Sequence, residues 1–123
     1  LLQAMAYANG VTRSTAAFFQ KYDLLLSPTL PVPPLPLGSL NSNDATLGAE
    51  GWTRKVFLFT PLTPLFNMTG QPAISLPLAR TDHGLPLGMQ FAARYGEEAT
   101  LLRLAAQLEQ ARPWPQVAPM AKR

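Results

Sequence analysis

Three residues near the middle of the chain have the types and the spacing of a ligand-binding wall. Phe57, Thr60 and Pro64 follow one another at intervals of three and four residues, so on a helix they would share one face. Phe57 and Pro64 would offer apolar surface and Thr60 one hydroxyl, a mixture typical of small-molecule pockets. The same spacing is equally typical of an ordinary core face, and the sequence alone leaves both interpretations open.

The residue patterns that carry catalysis are missing from the sequence. It contains no Gly-x-Ser-x-Gly turn and no pair of carboxylates at the spacing of a metal or glycosidase site. Without cysteine it has no thiolate nucleophile and no thiolate metal ligand. The one histidine, His83, precedes Gly84 in a polar turn and has no second histidine with which to bind a metal. We therefore assign no catalytic residue, no metal site and no cofactor.

The segment 66–77, Phe-Asn-Met-Thr-Gly-Gln-Pro-Ala-Ile-Ser-Leu-Pro, predicts the turn around which the rest of the chain is organised. Gly70 can adopt the positive φ that closes a helix, and Pro72 cannot continue one. Asn67, Gly70 and Pro72 are therefore predicted to form a structural turn between a helix and a strand that begins at Ala73.

Around this turn the sequence predicts an α/β fold in a single domain over residues 1–123. Short apolar runs bounded by proline or glycine indicate strands, and apolar residues recurring every three or four positions indicate helices. The first helix would pack an apolar stripe into the core, with a weak point at Asn9-Gly10. The predicted elements are a mixed sheet of strands 23–27, 73–78 and 87–94, covered by helices 2–22, 53–68 and 97–112.

Two connecting segments are predicted to be irregular. Residues 28–38 contain five prolines, which favour extended backbone that crosses the surface of its own domain and covers its four apolar side chains. The alternative is that this proline-rich segment binds another protein. Residues 39–51 are polar and glycine-rich, and they predict a mobile loop.

Composition argues against two classes of partner. The net charge is +3, but the arginines are spread along the chain without a basic cluster, which argues against nucleic acid. No apolar run approaches the roughly 20 residues of a membrane span. Charged residues make up 14% of the chain, below the typical value of about 25%, as suits a domain that buries part of its outside against something else.

Four segments taken together resemble the C-terminal part of amidase-signature hydrolases, and within that family the bacterial aryl-acylamidases and 6-aminohexanoate cyclic-dimer hydrolases. One is the segment 66–77 quoted above. The others are Tyr-Asp-Leu-Leu-Leu-Ser-Pro-Thr at 22–29, Gly-Leu-Pro-Leu-Gly-Met-Gln-Phe at 84–91 and Tyr-Gly-Glu-Glu at 95–98.

The resemblance implies an enzyme that hydrolyses carboxylic amides to an acid and ammonia or an amine. A serine would attack, a neighbouring serine in a cis peptide would relay the proton, and a lysine would act as the base. In the family those residues precede the region matched here, so we expect a C-terminal fragment that is inactive alone. Its partner would be the missing N-terminal part of the amidase domain.

The resemblance also implies roles for particular residues and for the whole protein. In the family the segment before the Asn-x-x-Gly turn lines the acyl side of the substrate site, which would make Phe57, Thr60 and Pro64 substrate-binding residues. We further expect a small-molecule amide substrate, a cytoplasmic location and, as in many family members, a homodimer. The alternatives are a non-catalytic module that binds a partner through the proline-rich segment or a sheet edge, and a glutaminyl amidotransferase subunit, for which nothing in the sequence selects tRNA.

Overall fold

The computed structural model describes residues 1–115. The sequence predicts a loose tail after Val117, and that tail lies outside the described residues. No helix among the described residues combines the length and the apolar character that crossing a bilayer requires. The elements in chain order are α1 (Leu2–Phe18), β1 (Leu24–Pro28), α2 (Gly48–Phe59), α3 (Pro64–Thr69), β2 (Ala73–Arg80), β3 (Pro86–Ala93) and α4 (Glu98–Ala111).

The three strands form one sheet in the order β1-β3-β2, and both pairings are antiparallel. The predicted α/β class is confirmed, although the strands described here pair only antiparallel and do not form the mixed sheet expected. β2 also runs past its predicted end at residue 78. It can do so because it is an edge strand, where a residue without an N–H is tolerated, and the register shifts between Leu76 and Ala79 around Pro77.

The two faces of the sheet have different covers. One face packs against α4 around a buried apolar cluster of Leu76, Phe91, Ala93 and Leu101. Leu104, Ala105 and Leu108, which recur along α4 at helical spacing, pack against this cluster, and so does Trp114 beyond the end of the helix. The other face is covered at one end by Phe19, the residue after α1, and by Phe66 of α3. Together with Ala92 these two residues form a second buried cluster.

The first helix differs from its predicted form in length and in burial. α1 ends at Phe18 instead of residue 22, and it continues through Asn9-Gly10 without a break. It buries no residue, and the stripe predicted for the core is largely exposed at Met5 and Tyr22. Within residues 1–115 only α3 offers this helix an extensive packing surface. The aromatic residue that is buried at this end of the chain is Phe19, which lies just beyond the helix.

The predicted helix 53–68 is two helices. α2 ends at Phe59 and α3 begins at Pro64, because Pro61 and Pro64 have no N–H to donate to a preceding turn. α2 also begins at Gly48, inside the segment 39–51 that was predicted to be a loop. Glu50 lies in its first turn, where a negative charge suits the helix dipole.

The proline-rich segment 28–38, which we call the proline-rich crossing, covers fewer of its own apolar side chains than expected. Leu30 is half-buried, whereas Val32, Leu35 and Leu37 are exposed. Thr29 N–H donates to the Gly88 carbonyl at 2.9 Å, which extends the pairing of β1 with β3 by one residue before the chain turns away. The crossing is thus anchored to the sheet at its start and open to solvent further along.

Candidate functional site

The bend between α2 and α3 contains a groove of about 690 Å³ that brings together the three residues predicted to bind substrate. Phe57 lies in the last turn of α2, Thr60 caps that helix, and Pro64 is the first residue of α3. They do not share one face of a single helix, as the spacing predicted; the bend assembles them instead. The lining residues are Phe57, Thr60, Thr63, Pro64, Leu65, Asn67 and Met68.

The shape of the groove follows from the way α2 ends. Thr60 leaves the helical conformation, with φ −122° and ψ 53°, while its N–H still bonds the Val56 carbonyl at 2.8 Å. Pro61 cannot donate to the helix, and Pro64 occupies the first turn of α3, where the missing N–H has no cost. The chain therefore turns between Pro61 and Pro64, and α2 and α3 form the walls of the groove.

The chemistry of the groove is that of binding and not of catalysis. The Thr60 hydroxyl donates to the Val56 carbonyl at 3.0 Å, so towards a ligand it is free to accept a hydrogen bond. Phe57 is 52% exposed and contributes apolar surface to the groove. Thr63 and Asn67 add further polar groups, and no lining residue titrates near neutral pH.

The turn that follows the groove is built around Gly70. This glycine ends α3 at φ 79° and ψ 7°, and its N–H donates to the Phe66 carbonyl at 2.9 Å. Asn67 is exposed on α3, two residues before the buried Thr69. Pro72 leads into β2, and its carbonyl accepts from Ala93 N–H at 3.1 Å. The turn thus fixes the groove relative to the end of the central strand.

A second groove, of about 440 Å³, lies between the proline-rich crossing and the sheet, and the sequence analysis missed it. Its floor carries a hydrogen bond between Thr29 Oγ1 and Ser75 Oγ at 2.5 Å. Gly88 lies beneath this pair, and a Cβ there would come within 2.6 Å of Ser75 Oγ. A lone glycine inside a strand signals such a close approach, so Gly88 was the available clue.

Comparison with known proteins identifies the family of this chain. Residues 1–102 match the family model described as Amidase. The chain belongs to the amidase family. A putative amidase AmiC of Mycobacterium leprae is 42% identical to this amidase segment over 120 residues, which are 95% of the chain and 24% of the relative.

Two solved structures have a similar fold over nearly the whole of this chain. A structure of 6-aminohexanoate cyclic dimer hydrolase superposes with a TM-score of 0.75 at 38% identity, over 94% of this chain and 24% of that one. A bacterial aryl acylamidase of the amidase signature family gives a TM-score of 0.66 at 25% identity, over 93% of this chain and 24% of that one. This amidase segment thus spans about a quarter of the length of the relatives that it matches.

Proposed function

We propose that this chain is the C-terminal part of an amide hydrolase and that the α2–α3 groove binds the acyl side of a small-molecule amide. The observation that carries the proposal is the assembly of Phe57, Thr60 and Pro64 into one open groove in a chain of the amidase family. The relatives named 6-aminohexanoate-cyclic-dimer hydrolase and acylamidase support an amide substrate, linear or cyclic.

In this proposal the two parts of the enzyme divide the work. The upstream part supplies the serine nucleophile, the cis-serine proton relay and the lysine base, and the groove positions the acyl group for attack. Apolar contact with Phe57 and Pro64 binds substrate and transition state about equally, so these residues act mainly on KM and on the choice of acyl group. The Thr60 hydroxyl oxygen can still accept a hydrogen bond, so it would favour substrates that present a hydrogen-bond donor to it.

Substitutions in the longer amidase that contains this segment test the groove. We expect Phe57→Ala to raise KM about ten-fold for long acyl amides and to leave kcat nearly unchanged, because about 1.4 kcal/mol of apolar contact is lost. Leu58→Ala is the matched control: Leu58 is the adjacent residue, is also exposed, and does not line the groove. Equal effects from both variants, or an unchanged ranking of acyl groups, would show that the groove does not bind substrate.

The division of work also predicts that residues 1–123 alone are inactive. The purified chain, incubated with an aryl amide and with a serine-directed fluorophosphonate, should give neither turnover nor labelling. Stoichiometric labelling would place a reactive serine within this segment and contradict the proposal. The whole enzyme, as proposed, works in the cytoplasm on small molecules and assembles as a homodimer.

The non-catalytic alternative has one observation in its favour. Val32, Leu35 and Leu37 of the proline-rich crossing are exposed, as they would be in a segment that docks onto another protein. Absence of amide hydrolysis by the longer protein would favour this second function.

A further inference from the structure

Two polar side chains of the α2–α3 groove are not engaged by any other residue within residues 1–115. Thr63 immediately precedes α3, and its side chain makes no capping hydrogen bond. Asn67 lies on α3 and is exposed, and its carboxamide bonds to no residue in the described part of the chain. Both residues line the groove. They differ in this respect from Thr60, whose hydroxyl already donates to the Val56 carbonyl.

The backbone of α3 places these two side chains next to each other. Thr63 has helical backbone angles, φ −74° and ψ −33°, so the helical spacing extends back to it. Residues four positions apart on a helix share one face, with their Cβ atoms about 5–6 Å apart. We call Thr63 and Asn67 the α3 polar pair. The carboxamide can donate and accept hydrogen bonds, and so can the hydroxyl, so the pair can bond a single polar group of a ligand from two sides.

The part of the groove that the structure describes is lined by uncharged side chains alone. A carboxylate or an ammonium group of a ligand would lose part of its hydration there without gaining an opposite charge, which is unfavourable. Each of those groups would also use only half of what the α3 polar pair offers, because a carboxylate only accepts hydrogen bonds and an ammonium group only donates them. The groove therefore favours a neutral ligand group that both donates and accepts.

We propose that the α3 polar pair binds a second, uncharged amide in the acyl part of the substrate, so that the enzyme prefers amides whose acyl chain carries a further amide group. The inference rests on the proposed function, because it concerns the same groove. Asn67 Oδ1 accepts from the N–H of the second amide, and Asn67 Nδ2 and the Thr63 hydroxyl donate to its carbonyl. Phe57 and Pro64 contact the methylene groups between the two amides. The pair takes no part in bond cleavage and determines specificity.

Three 4-nitroanilides test this preference in the longer amidase that contains the segment. Their acyl parts are N-acetyl-6-aminohexanoyl, which carries a second amide, nonanoyl, which has the same chain length without one, and 6-aminohexanoyl, which ends in an ammonium group. We expect Asn67→Leu to raise KM for the first anilide about ten-fold and to leave kcat nearly unchanged, because a hydrogen bond to the substrate is lost. KM for the nonanoyl anilide should not rise. Thr63→Val should act on the first anilide alone, by about three-fold.

A charge substitution separates recognition from a purely structural role of Asn67. Asn67→Asp keeps the size of the side chain and adds a carboxylate, so KM for the 6-aminohexanoyl anilide should fall about three-fold, as expected for an exposed ion pair. A residue that only supports the turn would not change KM for one substrate alone. Gln107→Leu is the matched control: it removes an exposed carboxamide from α4, on the opposite side of the sheet, and should leave all three KM values unchanged.

The outcomes distinguish this inference from the proposed function. Equal changes in KM for the N-acetyl-6-aminohexanoyl and nonanoyl anilides would overturn the inference, even where Phe57→Ala keeps its effect and the proposed function stands. If Asn67→Leu lowers the melting temperature markedly, the nearly isosteric variants Thr63→Val and Asn67→Asp decide, and the absence of any substrate-dependent change in both would overturn the inference. Failure of the unsubstituted amidase to hydrolyse any of the three anilides would contradict the proposed function, and the inference with it.

Discussion

Thr29 Oγ1 and Ser75 Oγ lie 2.5 Å apart and join the residue after β1 to β2 across the central strand of the sheet. The bond is feasible only because the residue of β3 beneath it is Gly88. A Cβ at that position would lie 2.6 Å from Ser75 Oγ and 2.7 Å from Thr29 Oγ1, closer than real contacts allow. One missing side chain thus lets the two edge strands bond directly.

Gly88→Ala should therefore destabilise the chain. The new methyl group must push the two hydroxyls apart, at a cost of about 1–3 kcal/mol in the free energy of unfolding, as other overpacked sites show. Chemical denaturation followed by circular dichroism measures this loss.

Gly10→Ala is the matched control for that experiment. Gly10 lies in the interior of α1 with no atom near its absent Cβ, so alanine should stabilise the chain by about 0.5–1 kcal/mol. If Gly88→Ala lowers the free energy of unfolding and Gly10→Ala raises it, the local contacts of each glycine, and not the loss of a glycine as such, determine the change in stability. A neutral Gly88→Ala would show that Thr29 and Ser75 move apart freely.

The sheet shows which structural features can be predicted from the sequence and which cannot. Period-two alternation along the predicted strand 87–94 places Met89 and Phe91 on one face and Gly88 and Gln90 on the other, because alternation is a property of the backbone itself. The same rule could not reveal that Ser75 meets Thr29 over Gly88. That contact joins residues 46 positions apart in the chain, and it depends on the register of two separate pairings, β1 with β3 and β2 with β3. Local sequence patterns carry no such information.

Gly70 supplies a second prediction that concerns φ alone. A Cβ at Gly70 would meet the Tyr95 ring at 3.5 Å, an ordinary contact, so any cost must come from its φ of 79°. Gly70→Ala should lower the free energy of unfolding by about 1–2 kcal/mol. Gly70→Asn should lower it by less, because asparagine tolerates the left-handed region. Equal losses from both variants would indicate that packing against Tyr95, and not φ, is responsible.

A third prediction contrasts two phenylalanines with opposite surroundings. Phe19 is 1% exposed and packs against Phe66 and Ala92, so Phe19→Ala should cost about 3–5 kcal/mol. Phe57, in the open groove, should change the free energy of unfolding by no more than about 0.5 kcal/mol when replaced by alanine. Urea denaturation of the two variants measures both values. A large loss for Phe57→Ala would identify it as a core residue and remove the basis for a binding groove.

The sequence could find the residues of the candidate site but not their arrangement. The spacing of Phe57, Thr60 and Pro64 suggested one helical face, whereas the prolines split the helix and the bend brought the three together. The spacing of three and four residues along the first helix selects Phe18, which is 36% exposed, whereas the buried residue is Phe19, just beyond the helix end. Both errors occur at a helix end, where backbone geometry depends on capping and tertiary contact more than on periodicity.

The last prediction concerns the link between the first helix and the central strand. Arg94 Nη2, at the residue after β3, donates to the Phe19 carbonyl at 3.0 Å and so satisfies an acceptor at the end of α1. Arg94→Met should lower the free energy of unfolding by about 1 kcal/mol, because that partly buried carbonyl loses its donor. Arg103→Met, which removes an exposed bond to Thr100 Oγ1 on α4, should change it by less than about 0.5 kcal/mol. Equal losses from the two variants would mean that Arg94 does not hold α1 against the sheet.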